Sequence, residues 1–395
     1  MERRSLTLED VAREAGVSRA TVSRVINGVR NVDPAIRDVV RAAIERTGYA
    51  PNRAARSLVT RRTETIALVI SGAGEESDPR TSGDGANGGG PDGANDGTPG
   101  GADEAPDGGD DDTPGGADEA PDGGDDDTPQ NAFAARVFAD PFFGRVVSGV
   151  VGFLRPRSMH PVLMVAETEA ARRQVTAFLR QGSADGALVV STHAADPLPA
   201  MLVAEGLPAV CFARPAQPTP ISYVDLAHRE GGRLAAEHLL ARGRRGLASV
   251  TGPLDLPAGR ERLAGFRAAL ERAGTAHVPI AEGGFTRESG ADAMARLLAG
   301  HPDLDGVFVA NDLMAQGVCE LLRERGRSVP QDVAVVGFDD SSVALTCRPP
   351  LTTVRQPVER MTAAMAGLLL EHVQGTRTEP TSLIFEPELV VRDSA

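Results

Sequence analysis

No lysine occurs among the 395 residues. All 41 basic side chains are arginine, which excludes chemistry that needs a lysine amine, such as a Walker phosphate loop or a pyridoxal Schiff base. Cysteine is scarce: Cys211, Cys319 and Cys347 are far apart, odd in number and match no metal or redox spacing, so they read as small buried hydrophobes. No run of eighteen apolar residues is present, and no membrane association is expected. The N-terminus, MERRSLTLEDVAREAG, lacks both the apolar run and the small-residue cleavage site of a secretory signal, and this predicts a cytoplasmic protein. The seven histidines are scattered without His-x-x-x-His spacing, and neither Cys-x-x-Cys nor a Gly-x-Ser-x-Gly elbow occurs. No catalytic residue, metal ligand or cofactor is therefore expected. Asp339 and Asp340 are adjacent carboxylates, but neighbours at a strand end point apart.

Charge is present but unevenly spread. The net charge of −14 would argue against a nucleic-acid partner if it were uniform. Residues 72–131 hold eighteen acidic residues against Arg80 alone, whereas the first 62 residues hold thirteen arginines against seven acids. A basic end and a separate acidic segment follow. Residues 72–131 contain no Val, Ile, Leu, Met, Cys or aromatic residue, and TPGGADEAPDGGDDD at 98–112 recurs letter for letter at 113–127. Such a stretch cannot bury a core, so it is expected to be a disordered insertion. Its repeats lack the apolar anchor of a β-roll and the ligand spacing of an EF-hand, which leaves only weak, nonspecific cation binding.

The rest of the chain is apolar enough for two or three packed units. After residue 62, β-branched or Leu-rich runs alternate with amphipathic stretches. The runs are 66–70, 162–165, 187–190, 209–212, 247–251, 306–309 and 333–337; the helical patterns begin near Phe143, Glu169, Ala227, Glu261, Ser289, Asp312 and Val358. This alternation predicts parallel α/β architecture, and seven strand signals favour two doubly wound lobes over one.

At the basic end, Thr7 and Asp10 form a capping-box pattern, Gly16 suits a tight turn, and Ser18 caps a second helix running from Arg19 to about Asn27. A third helix starts after Asp33 with Pro34 and carries Ile36, Val39, Val40, Ala43 and Ile44 as its core face. This is helix-turn-helix geometry. Arg19, Ala20 and Arg24 would face the major groove, arginine pairing with guanine and Ala20 meeting a thymine methyl, while Ser18, Thr21 and Ser23 hold phosphates.

TLEDVAREAGVSRATVSRVING, followed by TGYAPNRAARSL, resembles the DNA-binding domain of the lactose-repressor family of bacterial transcriptional regulators. The resemblance continues through DPFFGRVVSGV, DLAHREGGRLAAEHLLARG, TGPLDLPAGRERLAGF, VANDLMAQGV, VPQDVAVVGFDDSS and PPLTTVRQP, outside the acidic insertion. It implies a DNA-binding repressor whose operator affinity is set by a small-molecule effector, a sugar or related metabolite. It also implies an all-α helix-turn-helix domain with a hinge helix at about 51–60, joined to a sensor of the periplasmic-binding-protein type. The domain plan is 1–62 for the reader and 63–395 for the sensor. The N-lobe takes 63–225 and 355–385, and the C-lobe takes 226–354 and 386–395.

By that resemblance Thr7, Asn27, Asn52, Arg53 and Arg56 join the DNA contacts, and Leu58 wedges into the minor groove with its mate from a second subunit. Arg262, Asn311, Asp339 and Gln356 match effector-contacting positions, and Phe142 and Arg214 complete the pocket. Arg, Asn and Asp offer forks of donors and acceptors to a polyhydroxyl or heterocycle, while Phe142 offers a face for stacking. The partners implied are near-palindromic double-stranded operator DNA, an effector and a second copy of the chain. The absence of a heptad tail after LIFEPELVV favours a homodimer over a dimer of dimers. Two other classes share parts of this pattern. A free-standing solute-binding protein would need a signal peptide in place of the helix-turn-helix, and an enzyme would turn over candidate sugars.

Overall fold

The structure, a computed structural model, describes residues 6–26, 32–49, 62–72, 133, 135, 137–275 and 277–395. It opens with helices α1 (Leu8–Ala15), α2 (Arg19–Ile26) and α3 (Pro34–Thr47). The Thr7 backbone N–H and hydroxyl both donate to Asp10 Oδ2, at 2.9 and 2.8 Å, which fixes the start of α1. Gly16 ends it at φ 64°, a left-handed conformation that a Cβ would penalise. Ser18 Oγ then accepts the Thr21 N–H at 3.2 Å and opens α2, and Asp33 accepts the Ala35 N–H at 2.8 Å to open α3. The three helices close on Val11, Ala15, Val22, Val40, Ala43 and Tyr49. Ile36 and Val39, expected in that core, stand 38% and 47% exposed. The eight-residue α1 and α2 are too short to cover more than one stripe of the fourteen-residue α3.

Two six-stranded sheets follow. The first is assembled from β1 (Thr65–Ser71), β2 (His160–Ala166), β3 (Ala187–Ser191), β4 (Ala209–Phe212), β5 (Ser222–Leu226) and β11 (Ser382–Phe385) in the order β11-β5-β4-β3-β1-β2, with every pair parallel. Helices α4 (Pro141–Leu154), α5 (Glu169–Arg180), α6 (Leu198–Ala204) and α12 (Val358–Val373) cover it. The second holds β6 (Leu247–Thr251), β7 (Ile280–Glu282), β8 (Gly306–Val309), β9 (Ala334–Asp339), β10 (Thr352–Arg355) and β12 (Glu388–Val390) in the order β12-β10-β9-β8-β6-β7, with β12 alone antiparallel. Its helices are α7 (His228–Ala241), α8 (Pro257–Arg272), α9 (Arg287–Gly300), α10 (Asp312–Glu324) and α11 (Ser342–Thr346). Strands such as β1 and β9 are buried along nearly their whole length, as parallel strands sandwiched by helices must be.

The chain passes between the sheets three times, after Leu226, between Arg355 and Val358, and between Phe385 and Glu388. The lobe changes come after Leu226, which completes β5, and after Arg355, which pairs with Asp339 in the second sheet, one residue beyond the approximate boundaries expected at 225/226 and 354/355. Five strands, β5, β7, β10, β11 and β12, lie outside the seven runs read from sequence. The hinge helix at about 51–60 and the acidic repeats lie outside the described residues. The points where the acidic segment departs and returns are described: a Cβ on Gly72 would stand 2.4 Å from the Phe133 ring, so the two ends touch.

Candidate functional site

Two separate groups of candidate residues take shape. The first is the outer face of α2. Arg19, Ala20 and Arg24 are exposed there, and Thr7 and Ser18 stand exposed at the preceding caps. Arg19 is paired with Glu9 at 3.1 Å, across two largely exposed side chains, so DNA would have to compete with a neighbouring carboxylate for it. The Ser18 and Thr21 hydroxyls bond each other at 2.9 Å. Ser18 is thus a cap first, with its phosphate role left to whatever proton the pair does not share. Ser23 is half-buried beside Val22. Asn27, Asn52, Arg53, Arg56 and Leu58 lie outside the described residues.

The second group lines a cleft of about 900 Å³ between the carboxyl ends of the two sheets, and Phe142, Arg214, Arg262, Asn311, Asp339 and Gln356 all border it. Open α/β sheets bind ligands at this edge. Arg262 is the centre of the second wall, held on α8 with only 6% of its surface exposed. Its Nη1 donates to the Ala310 carbonyl at 2.5 Å, Nη2 to Gln356 Oε1 at 3.3 Å and Nε to His228 Nδ1 at 3.3 Å, while the guanidinium lies 3.7 Å over the Phe338 ring. A guanidinium only donates, so His228 Nδ1 must accept and its proton sits on Nε2, 3.3 Å from Asp225 Oδ1. Burial pulls the His228 pKa below its ordinary value, against the upward pull of Asp225, and keeps the ring neutral.

The placement of Arg262 depends on two glycines. A Cβ on Gly232 would meet the Arg262 carbonyl oxygen at 2.0 Å, and one on Gly265 would meet the Arg229 carbonyl oxygen at 1.9 Å. Their absence lets α7 and α8 touch backbone to backbone, which brings His228 and Arg262 together.

Asp339 is left unsatisfied in the cleft. Its Oδ1 is buried without a hydrogen-bond partner, and Arg262 Nη2 stands 3.7 Å away, too far to donate. Burial pushes its pKa up to about 8, despite Arg262 and with the help of Asp312 and Asp140. Its neighbour Asp340 points elsewhere, into ion pairs with Arg355 at 2.7 Å and Arg392 at 2.6 Å. The two carboxylates are therefore not a catalytic pair.

Backbone strain collects on the same rim. Ala213, Phe285, Asp339 and Asp340 hold φ of 67°, 62°, 105° and 52°, and the first three line the cleft. Non-glycine residues persist in such conformations where the surrounding structure enforces them, and they concentrate at functional sites.

The first wall is more apolar. Phe142 packs edge-on against Phe143 and Phe212 with ring centroids 5.2 and 5.3 Å away. Asp140 caps α4 through the Phe142 N–H at 2.9 Å, and burial raises its pKa. Asn311 is engaged at both ends: Oδ1 accepts the Met314 N–H at 2.9 Å to cap α10, and Nδ2 donates to the Phe285 carbonyl at 3.1 Å. Arg214 is exposed at the mouth.

Sequence reasoning missed His193, Asp140 and the Asp225–His228 pair, which also line the cleft. It also missed Arg145, which pairs with Glu359 at 2.8 Å and donates to the carbonyls of Asp339 at 2.7 Å and Gln356 at 2.9 Å. That side chain ties the first lobe to the strained end of β9. Capping-type residues after a strand were the available signal for Asp140, whereas nothing local marks Arg145.

Comparison with known proteins fits both groups. The model of bacterial regulatory proteins of the lacI family matches residues 7–52, and a periplasmic binding protein-like domain matches residues 236–395. The HTH-type transcriptional regulator CelR of Thermobifida fusca is 39% identical over 396 residues, covering 99% of each chain. The chain belongs to the lacI family of bacterial regulatory proteins. This LacI-family member is thus a DNA-binding transcriptional regulator with a periplasmic-binding-protein-like sensor. A solved CelR–cellobiose complex aligns with 99% of this chain and all of its own, at 38% identity and a TM-score of 0.67. The lac repressor dimer bound to operator and an anti-inducer aligns over 99% of each chain at 25% identity and a TM-score of 0.71. Among the described residues, no helix is long and apolar enough to cross a membrane.

Proposed function

We propose that this regulator is a homodimeric repressor that binds a near-palindromic operator through α2 and changes its grip when a neutral sugar enters the cleft. The reader spans residues 1–62 and the sensor 63–395. Arg19, Ala20 and Arg24 read bases; Thr7, Ser18, Thr21, Ser23 and Asn27 fix register on phosphates; Asn52, Arg53, Arg56 and the Leu58 wedge act from the hinge. Arg262, Asp339 and Gln356 hold ligand hydroxyls, Phe142 packs on a ring face, Asn311 shapes the floor and Arg214 closes the mouth.

The observation that carries the effector reading is the unpartnered Asp339 Oδ1 beside an Arg262 held in place by three hydrogen bonds in a part-aromatic cleft. A polyhydroxyl supplies the missing donor and offers apolar faces to the rings. A related regulator in complex with cellobiose makes a β-linked glucose disaccharide the first probe. In this reading the site binds its ligand without transforming it, since the adjacent carboxylate Asp340 is committed to two arginines. A protein with this reader works in the bacterial cytoplasm, where the DNA is.

A thermal-shift screen of mono- and disaccharides on the whole protein, cellobiose included, tests the reading. A cognate sugar at a hundred times its dissociation constant adds about 2.7 kcal/mol of stability. No shift by any sugar would overturn it.

A further inference from the structure

The cleft does not end at Arg214. A second groove of about 550 Å³ continues outward between the loop joining β4 to β5 and the first turns of α8. It shares Arg214, Pro215, Ala216, Gln217, Thr219 and Pro257 with the cleft, so the same loop and the start of α8 border both spaces. Beyond the shared stretch it adds Pro218, Pro220, Tyr223 and Arg260. We propose that this groove is an extended sugar subsite, which receives the third and later units of an oligosaccharide whose first two rings occupy the cleft. The proposal rests on the sugar reading given above and deepens it.

The chemistry of the lining favours a sugar chain. Small-molecule pockets span about 300–1,000 Å³, so the cleft is already at the large end before the groove is added. A pyranose has apolar C–H faces and a rim of hydroxyls. The proline rings of the loop and the Tyr223 ring supply flat apolar surfaces, while Arg260 supplies fixed donors at the edge. Among the described residues, Arg260 donates one hydrogen bond, from Nη1 to the Asp255 carbonyl at 3.1 Å, which leaves Nη2 and Nε to meet a ligand. A peptide adding as a strand is a poor match, because Pro215, Pro218 and Pro220 remove three N–H donors from the loop it would have to pair with.

The test is calorimetric titration of the full chain with β-1,4-linked glucose dimer, trimer and tetramer. The trimer is expected to bind about fivefold or more tighter than the dimer, equivalent to about 1 kcal/mol. Arg260→Ala, at an exposed position, is expected to weaken the trimer about tenfold, the loss of one charged hydrogen bond, while leaving the dimer unchanged. Tyr223→Ala should act in the same direction, with dimer affinity reporting that the half-buried site still folds. Dimer and trimer binding equally, or Arg260→Ala weakening both alike, overturns the groove. Failure of every member of the series to bind, while the thermal screen finds another sugar that does, overturns the groove and leaves the sugar reading standing; failure of both overturns both.

Discussion

Arginine does opposite jobs at the two ends of this molecule. On α2, Arg19 and Arg24 are exposed, and Arg19 meets the Glu9 carboxylate where solvent already screens the pair. In the cleft, Arg262 is buried and fixed on several sides, by a carbonyl, an amide, an imidazole and an aromatic ring. The first arrangement suits a ligand that is itself a dense polyanion, for which affinity comes from displacing counterions and must fall with salt. The second suits a small neutral ligand, for which an arginine serves as a scaffold already fixed before the ligand arrives. The difference teaches that the reader works by charge left available and the sensor by charge already spent.

The largest effect that could break this comparison comes from Arg262→Ala. Removing one partner from a buried network costs about 3–5 kcal/mol, and here it strands Asp339 and Gln356. Effector binding should be lost and sensor stability lowered, while operator binding by the folded protein persists; loss of operator binding at unchanged stability would show that the two ends are not separate. Gly232→Ala should imitate it, because its Cβ lands on the Arg262 carbonyl oxygen. A calorimetric titration beside a thermal melt checks both.

Asp339→Asn comes next and splits stability from function. Burial raises Asp339 to about 8, so between its ordinary carboxylate value of 3.8 and that pH the folded protein keeps a proton that the unfolded chain releases. Stability of the sensor should fall as pH rises from about 4 to about 8, and the asparagine variant should lose that slope. Asp339→Ala, which removes that oxygen altogether, should weaken the effector by about 1–3 kcal/mol, since the unpartnered oxygen is the ligand's acceptor. A pH series of melts with and without effector reads both changes.

At the reader, Arg24→Ala should lower operator affinity by about 1–3 kcal/mol and reduce the salt slope by about one, with no effect on effector binding. The smallest change is Glu9→Gln. It frees Arg19 from a surface pair and should tighten operator binding by about two- to threefold at low salt, with the gain vanishing as salt rises. Fluorescence-anisotropy titrations across a salt series measure both.

These predictions depend on features of unequal visibility in the sequence. The reader was legible because its determinants are local: Thr7, Gly16, Ser18 and Asp33 act within three residues of themselves. The central strands were legible because burial on both faces demands an unbroken apolar run. β10 was not, since TTVR reads as polar; its Thr352 and Thr353 are fully buried because the Ala395 carbonyl and the Asp312 carboxylate accept their hydroxyls. β7 and β12 are three residues long and carry no period. Of the site, the six effector candidates converge on one cleft, yet their division of labour was hidden. That Asn311 is already spent on a cap, that Asp339 is short of a donor and that Arg145 reaches across from α4 all depend on contacts between residues far apart in the chain. Strain at Ala213, Phe285 and Asp339 is likewise invisible, because nothing but glycine announces a positive φ.

The most direct measurement is an operator titration of the full chain at one fixed salt concentration, with and without saturating cellobiose or whichever sugar the thermal screen identifies. A ligand shifts operator binding only as far as it prefers one state of the sensor over the other, and a switch from mostly bound to mostly released needs roughly a ten-thousand-fold preference. The account predicts a change in operator affinity of at least about tenfold, the lower end of ordinary coupling between sites, and its loss in Arg262→Ala. An operator affinity that stays the same while calorimetry shows the sugar bound in the cleft would contradict it.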